Sequence, residues 1–99
     1  MIRHIVTWKL NATDEAGKAE SFEAIAGVLR PLAGTITEIS TLSINRNEAF
    51  HDVNWDVVLV GDYNSLDDLQ AYQVHPAHVA AAAVVRTHVA QRASIDFEL

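Results

Sequence analysis

The chain has 99 residues, 49% of them apolar and 20% charged, enough for one hydrophobic core and too little for two. Seven Lys and Arg against thirteen Asp and Glu leave a formal charge of −6 with no basic patch, which argues against a nucleic-acid partner. There is no cysteine, so disulfides and thiolate chemistry are excluded. No apolar run approaches the roughly 20 residues that span a bilayer, and the opening Met1-Ile2-Arg3-His4 reads as strand rather than signal peptide, so a soluble cytoplasmic protein without membrane attachment is expected.

Ile2, His4, Val6, Trp8 and Leu10 alternate with Arg3, Ile5, Thr7 and Lys9, a period of two that predicts a first strand over residues 2–10. Thr13 is placed to cap a helix with Asp14 and Glu15 in its first turn and Phe22, Ile25, Ala26 and Leu29 on one face, ending between Pro31 and Gly34. Residues 35–46, rich in Thr and Ile, predict a second strand, followed by a polar turn over 45–52. A third strand is expected over 53–62, with Trp55, Val57 and Leu59 on one face and Val58 and Val60 on the other. Both faces therefore need cover, and parity alone does not say which faces the helices. Ser65 and Asp68 have the form of a capping box before a helix bearing Leu66, Leu69 and Tyr72. Pro76 interrupts that helix, an alanine-rich helix restarts over 77–90, and residues 93–99 close the chain as a strand.

The order strand, helix, strand, strand, broken helix, strand predicts a single α+β domain over residues 1–99. Its plan is ferredoxin-like βαββαβ: a four-stranded antiparallel sheet with helices on one face. The face left bare carries apolar residues, and pairing it with the same face of a second copy gives a homodimer built as an α/β barrel.

Five histidines are candidates for chemistry. His51, in a polar turn, and His88, late in a helix, receive no role. His4 shares a strand face with Val6 and Trp8, where it either lines a pocket or sits near the strand edge satisfied by water or backbone. The sharpest cluster is Tyr72, His75 and His78 around Pro76. A histidine in the first turn of a helix is disfavoured as imidazolium by the helix dipole, and a neutral imidazole is what a general base needs. A nearby phenol can hydrogen-bond a carbonyl oxygen as charge develops on it. On the other reading of the same residues, His75 caps a helix, His78 ties the junction to the sheet and Tyr72 is a core ring. No metal is expected, because no H-E-x-x-H pattern is present and the proline spoils a regular ligand face.

Five segments carry a resemblance to a known family: Ile2-Arg3-His4-Ile5-Val6, Trp55-Asp56-Val57-Val58-Leu59-Val60, Leu69-Gln70-Ala71-Tyr72, His75-Pro76-Ala77-His78-Val79 and Ser94-Ile95-Asp96-Phe97. Together they resemble the stress-responsive dimeric α/β-barrel (Dabb) family over essentially the whole chain. The resemblance implies a ferredoxin-like subunit that dimerises through its sheets. Distantly, the chain is also similar to the plant polyketide cyclases of that family that form olivetolic acid by aldol condensation without a cofactor. That likeness implies Tyr72 and His78 as a catalytic pair, His4 lining the site and no cofactor; Trp8, His75 and Asp56 are further candidates for contact with the substrate. The chain departs from the cyclases at Asp56, where they carry a further histidine, and over residues 14–32, which lack their pocket tyrosine.

Two functions follow as expectations. The favoured one is binding of a small apolar or carbonyl-containing molecule in a stress-response or metabolic context. The alternative is a cofactor-independent cyclase or isomerase acting on an enolisable substrate. A monooxygenase of similar fold has less support, since the resemblance centres on the His-Pro-x-His junction. The enzyme reading requires an apolar cavity between sheet and helices faced by both Tyr72 and His78.

Overall fold

In the computed structural model, which describes all 99 residues, β1 (Ile2–Leu10), β2 (Ile39–Arg46), β3 (Val57–Tyr63) and β4 (Val89–Glu98) form one antiparallel sheet in the order β2-β3-β1-β4. The connections carry α1 (Glu15–Leu29), a short α2 (Leu32–Thr35), α3 (Leu66–Val74) and α4 (Pro76–Arg86), which completes the ferredoxin-like βαββαβ plan. None of these helices is long and apolar enough to cross a membrane.

Register settles the question that parity left open. Val6 lies opposite Leu59 and Trp8 opposite Val57, and all four are buried under the helices with Ile25, Leu29, Leu69, Tyr72 and Val85. Ile5 stands between Val60 and Ile95, and Thr7 between Val58 and Ala93, on the face no helix covers. Ile95 and Phe97 are exposed there. The same open face holds a polar cluster in which Arg3 makes two hydrogen bonds to Asp62, of 2.9 and 3.0 Å, and Thr41 adds a third. The Arg3 guanidinium, with Thr41 in support, holds the Asp62 carboxyl below its usual range.

Several boundaries differ from expectation for local reasons. Asp14, not Thr13, caps α1, its Oδ1 accepting the Gly17 N–H at 2.7 Å. A carboxylate at this position also meets the helix dipole, which a hydroxyl does only weakly. Pro31 starts one further helical turn, so β2 begins at Ile39 rather than residue 35. Residues 53–56 stay out of β3 because the loop folds on itself, Asn54 Nδ2 donating to Asn47 Oδ1 and to the Ala49 carbonyl. Phe50 takes a positive φ of 50° there. α4 stops at Arg86, and the released residues extend β4 back to Val89, where it pairs with Leu10.

The helix break at Pro76 falls as read. His75 has φ −60° and ψ 134°, the extended backbone a residue before proline prefers, so it ends α3 and starts α4 at once. Ser65 caps α3 by accepting the Asp68 N–H at 3.2 Å.

Candidate functional site

A cavity of about 270 Å³ opens between the helix-facing side of the sheet and the α3–α4 unit. Its walls are largely apolar, formed by Val6, Trp8, Leu29, Leu59, Ala82 and Val85, and its polar groups are His4, Tyr72, His78, Arg86 and Arg92. The volume lies just under the usual small-molecule range of roughly 300–1,000 Å³, which suits a compact ligand.

Each polar group is set by its element. His4 faces the cavity because β1 turns its even positions to the helices, and it is buried to 3% exposure. Its Nδ1 pairs with Asp96 Oδ1 directly across the β1–β4 ladder. A carboxylate accepts, so Nδ1 carries the proton and Nε2 is the nitrogen left for a ligand. His78 lies in the first turn of α4, where its Nδ1–H donates to the Gln73 carbonyl at 3.0 Å. A carbonyl only accepts, so the free lone pair of His78 is again on Nε2. Burial lowers the His78 pKa from its ordinary 6.5, with His4, Arg92 and Arg86 adding to the effect and the Gln73 bond opposing it.

Tyr72 projects from the last turn of α3 and is 1% exposed, with its ring centroid 4.4 Å from that of His78 and 5.0 Å from that of Tyr63. Burial raises its pKa, against the pull of Arg92, so it is a protonated donor at neutral pH. Tyr63, fully buried beneath it, is likewise pushed up by burial, and its hydroxyl has no hydrogen-bond partner.

Of the residues singled out from sequence, His4, Trp8, Tyr72 and His78 come together on this cavity, whereas His75 and Asp56 do not line it. His75 is turned to the helix junction, its Nδ1 accepting the Ala77 N–H at 3.0 Å. Asp56 accepts the Leu10 N–H at 2.8 Å and pairs with Lys18 at 3.1 Å, bracing the end of β1 against α1. Both carry structural bonds that account for their polarity. His88 bonds Ser21 at 3.2 Å and His51 is exposed on a loop. No group of three or more His, Cys, Asp or Glu is gathered to hold a metal.

Arg86, Arg92 and Asp96 were not selected from sequence. His78, Ala82, Val85 and Arg86 follow the i, i+4, i+7, i+8 spacing of one helix face, so Arg86 was within reach. Arg92 and Asp96 are brought in by register, opposite Trp8 and His4 respectively.

A model of the stress responsive A/B barrel domain, Dabb, matches residues 2–99. The chain belongs to this family. Among solved structures it is similar to a dimeric ferredoxin-like protein of unknown function from Bacteroides fragilis NCTC 9343. That pair is 26% identical with a TM-score of 0.88, covering 99% of this chain and 95% of that one. A dimeric ferredoxin-like protein of unknown function from Thermobifida fusca YX is 30% identical, with a TM-score of 0.82 over 99% of this chain and 90% of that one. The hydroxynitrile lyase from Passiflora edulis shares the fold at 12% identity, with a TM-score of 0.74 over 97% of this chain and 90% of that one. Nothing among curated proteins matches.

Proposed function

We propose that this Dabb protein is a homodimer paired through its open sheet face, and that each cavity binds a small carbonyl compound and moves a proton on it. One observation carries the reading: the His78 imidazole, its Nδ1 tied to the Gln73 carbonyl and its Nε2 free, and the Tyr72 phenol stand with ring centroids 4.4 Å apart on one largely apolar cavity. His78 Nε2 takes a proton from a carbon next to the carbonyl. The C–H electrons form the new C=C bond, the carbonyl π pair moves onto oxygen, and the Tyr72 hydroxyl hydrogen-bonds that oxygen. The His78 imidazolium then returns the proton, to the same carbon in simple exchange or to the far end of a conjugated C=C in isomerisation, or the enolate carbon attacks a second carbonyl of the same molecule, which is cyclisation. His4, oriented by Asp96, supplies a second acid–base group beside it.

The dimer is supported by the apolar row Ile5, Val58, Val60 and Ile95 on the open face, and by the two relatives described as dimeric. The test of the chemistry is solvent deuterium exchange into phenylpyruvate, a compact enolisable ketone, followed by NMR. His78→Gln is expected to lose about 10²–10⁴-fold of the catalysed exchange. Equal exchange by wild type and His78→Gln rejects His78 as the base. Sedimentation of wild type is expected to give twice the 10.9 kDa of one chain, and Val60→Glu to give the monomer. A wild-type protein that remains monomeric at micromolar concentration rejects the interface.

A further inference from the structure

The cavity has a charge that the rest of the chain does not share. Acidic residues outnumber Lys and Arg thirteen to seven, yet none of the thirteen lines the cavity and two of the seven cations do. Arg86 and Arg92 are both exposed, so they stand at its opening while the walls behind them are apolar. Neither takes part in an ion pair. Arg3, Lys18 and Arg46 are paired with Asp62, Asp56 and Glu15, but Arg86 makes no side-chain bond and Arg92 only a 3.3 Å bond to Ser94 Oγ. Lying in the last turn of α4, Arg86 also meets the negative end of the helix dipole. Arg92 has no such local partner; its place opposite Trp8 on the edge strand sets it beside the cavity alone.

We infer that the ligand of this cavity is a small monocarboxylate, with its apolar body against Trp8, Leu29 and Leu59 and its carboxylate held between Arg86 and Arg92 at the opening. This rests on the cavity being the ligand site but not on any reaction taking place there. Guanidinium groups pair with planar carboxylates through two parallel N–H donors, and the largely apolar walls behind the arginines leave room for one compact anionic group at the opening. An enolisable carbonyl next to such a carboxylate lies deeper, toward His78 and Tyr72, which makes keto acids the substrate class that satisfies both ends.

The probes are phenylpyruvate and its methyl ester, which share the ketone and the ring and differ in charge. Titration calorimetry on the wild-type protein is expected to show the acid bound about tenfold more tightly, or about 1.4 kcal/mol. In Arg86→Gln/Arg92→Gln the acid is expected to lose its preference, the two affinities converging to within about twofold. Both arginines are exposed, so the fold is not at risk. Raising salt from 50 to 500 mM narrows the wild-type preference, since exposed pairs are screened. Wild type binding the ester as tightly as the acid overturns the inference, as do acid preference surviving in the double variant and no binding of the acid at millimolar concentration. Exchange kinetics separate this from the catalytic proposal: acid preference with no enzyme-dependent exchange leaves the carboxylate site standing and removes His78 as a base.

Discussion

Gly61 offers the sharpest test of how the sheet supports the site. Its backbone does not require glycine, as no glycine here has positive φ, but its space does. A Cβ at this position falls 2.9 Å from the Tyr63 hydroxyl oxygen, 3.1 Å from Tyr63 Cε1 and 3.3 Å from Leu42 Cδ1. Tyr63 is 0% exposed, so its ring has nowhere free to move. Overpacking of this kind costs about 1–3 kcal/mol, against which alanine restricts the unfolded chain and returns about 0.4–1 kcal/mol. With the middle of each range, Gly61→Ala is therefore expected to lose about 1–2 kcal/mol. For a domain of this size that is a fall in Tm of about 4–16 °C. The displacement runs into the site, because the Tyr63 ring packs against Tyr72 and the Tyr72 ring against His78. Tyr63→Phe deletes the nearest atom, and its hydroxyl has no partner to lose. Alone it should change stability by less than about 1 kcal/mol, and in the double variant it should recover about half of the Gly61→Ala loss. Urea and thermal melts of the four proteins complete the cycle. The reasoning is refuted if Gly61→Ala costs under about 0.5 kcal/mol, or costs the same with Phe at position 63.

Two further outcomes follow from the site and its surroundings. Because folding lowers the His78 pKa below 6.5, the unfolded chain holds the proton more tightly between the folded value and 6.5. Stability then rises with pH through that window and levels off above it. In urea melts His78→Gln should flatten this segment, and an unchanged slope would show that His78 is not buried as described. Asp56→Ala removes the acceptor of the Leu10 N–H and the partner of Lys18, with an expected loss of about 1–3 kcal/mol in stability and unaltered ligand affinity. Lost affinity with stability intact would instead bring Asp56 back into the ligand site.

The features legible in the sequence were those written locally. Alternation in β1, the helix break at Pro76 and the cap at Ser65 each depend on residues within one or two turns, and each formed where it was read. The ends of β2, β3 and β4 moved because nonlocal bonds decide them. Asp56, read as strand, is held between Trp8 and Leu10 of β1 by its backbone N–H and its carboxylate, and Asn54 is drawn back into its own loop. His75 was read both as a cap and as a ligand contact. Its pre-proline backbone leaves its ring free to bond Ala77, and the cap prevailed.

The candidate site divides along the same line. Tyr72 and His78 are near in sequence and meet across one helix junction, so spacing sufficed to pair them. Asp96 is 92 residues from His4, and Arg92 precedes the strand that alternation predicts over residues 93–99, so only register brings them in. That register has a second consequence. On β4, Arg92 and Asp96 fall on the side of the cavity while Ala93, Ile95 and Phe97 alternate onto the open face, so a slip of one residue would exchange the two sets. β4 is an edge strand, bonded within the chain to β1 alone. In the proposed dimer a second sheet packs on Ile95 and Phe97, and a slipped strand would present it with Arg92 and Asp96 instead. Dimerisation thus opposes the slip, and the contact that buries the open face also holds Arg92 at the cavity and Asp96 against His4.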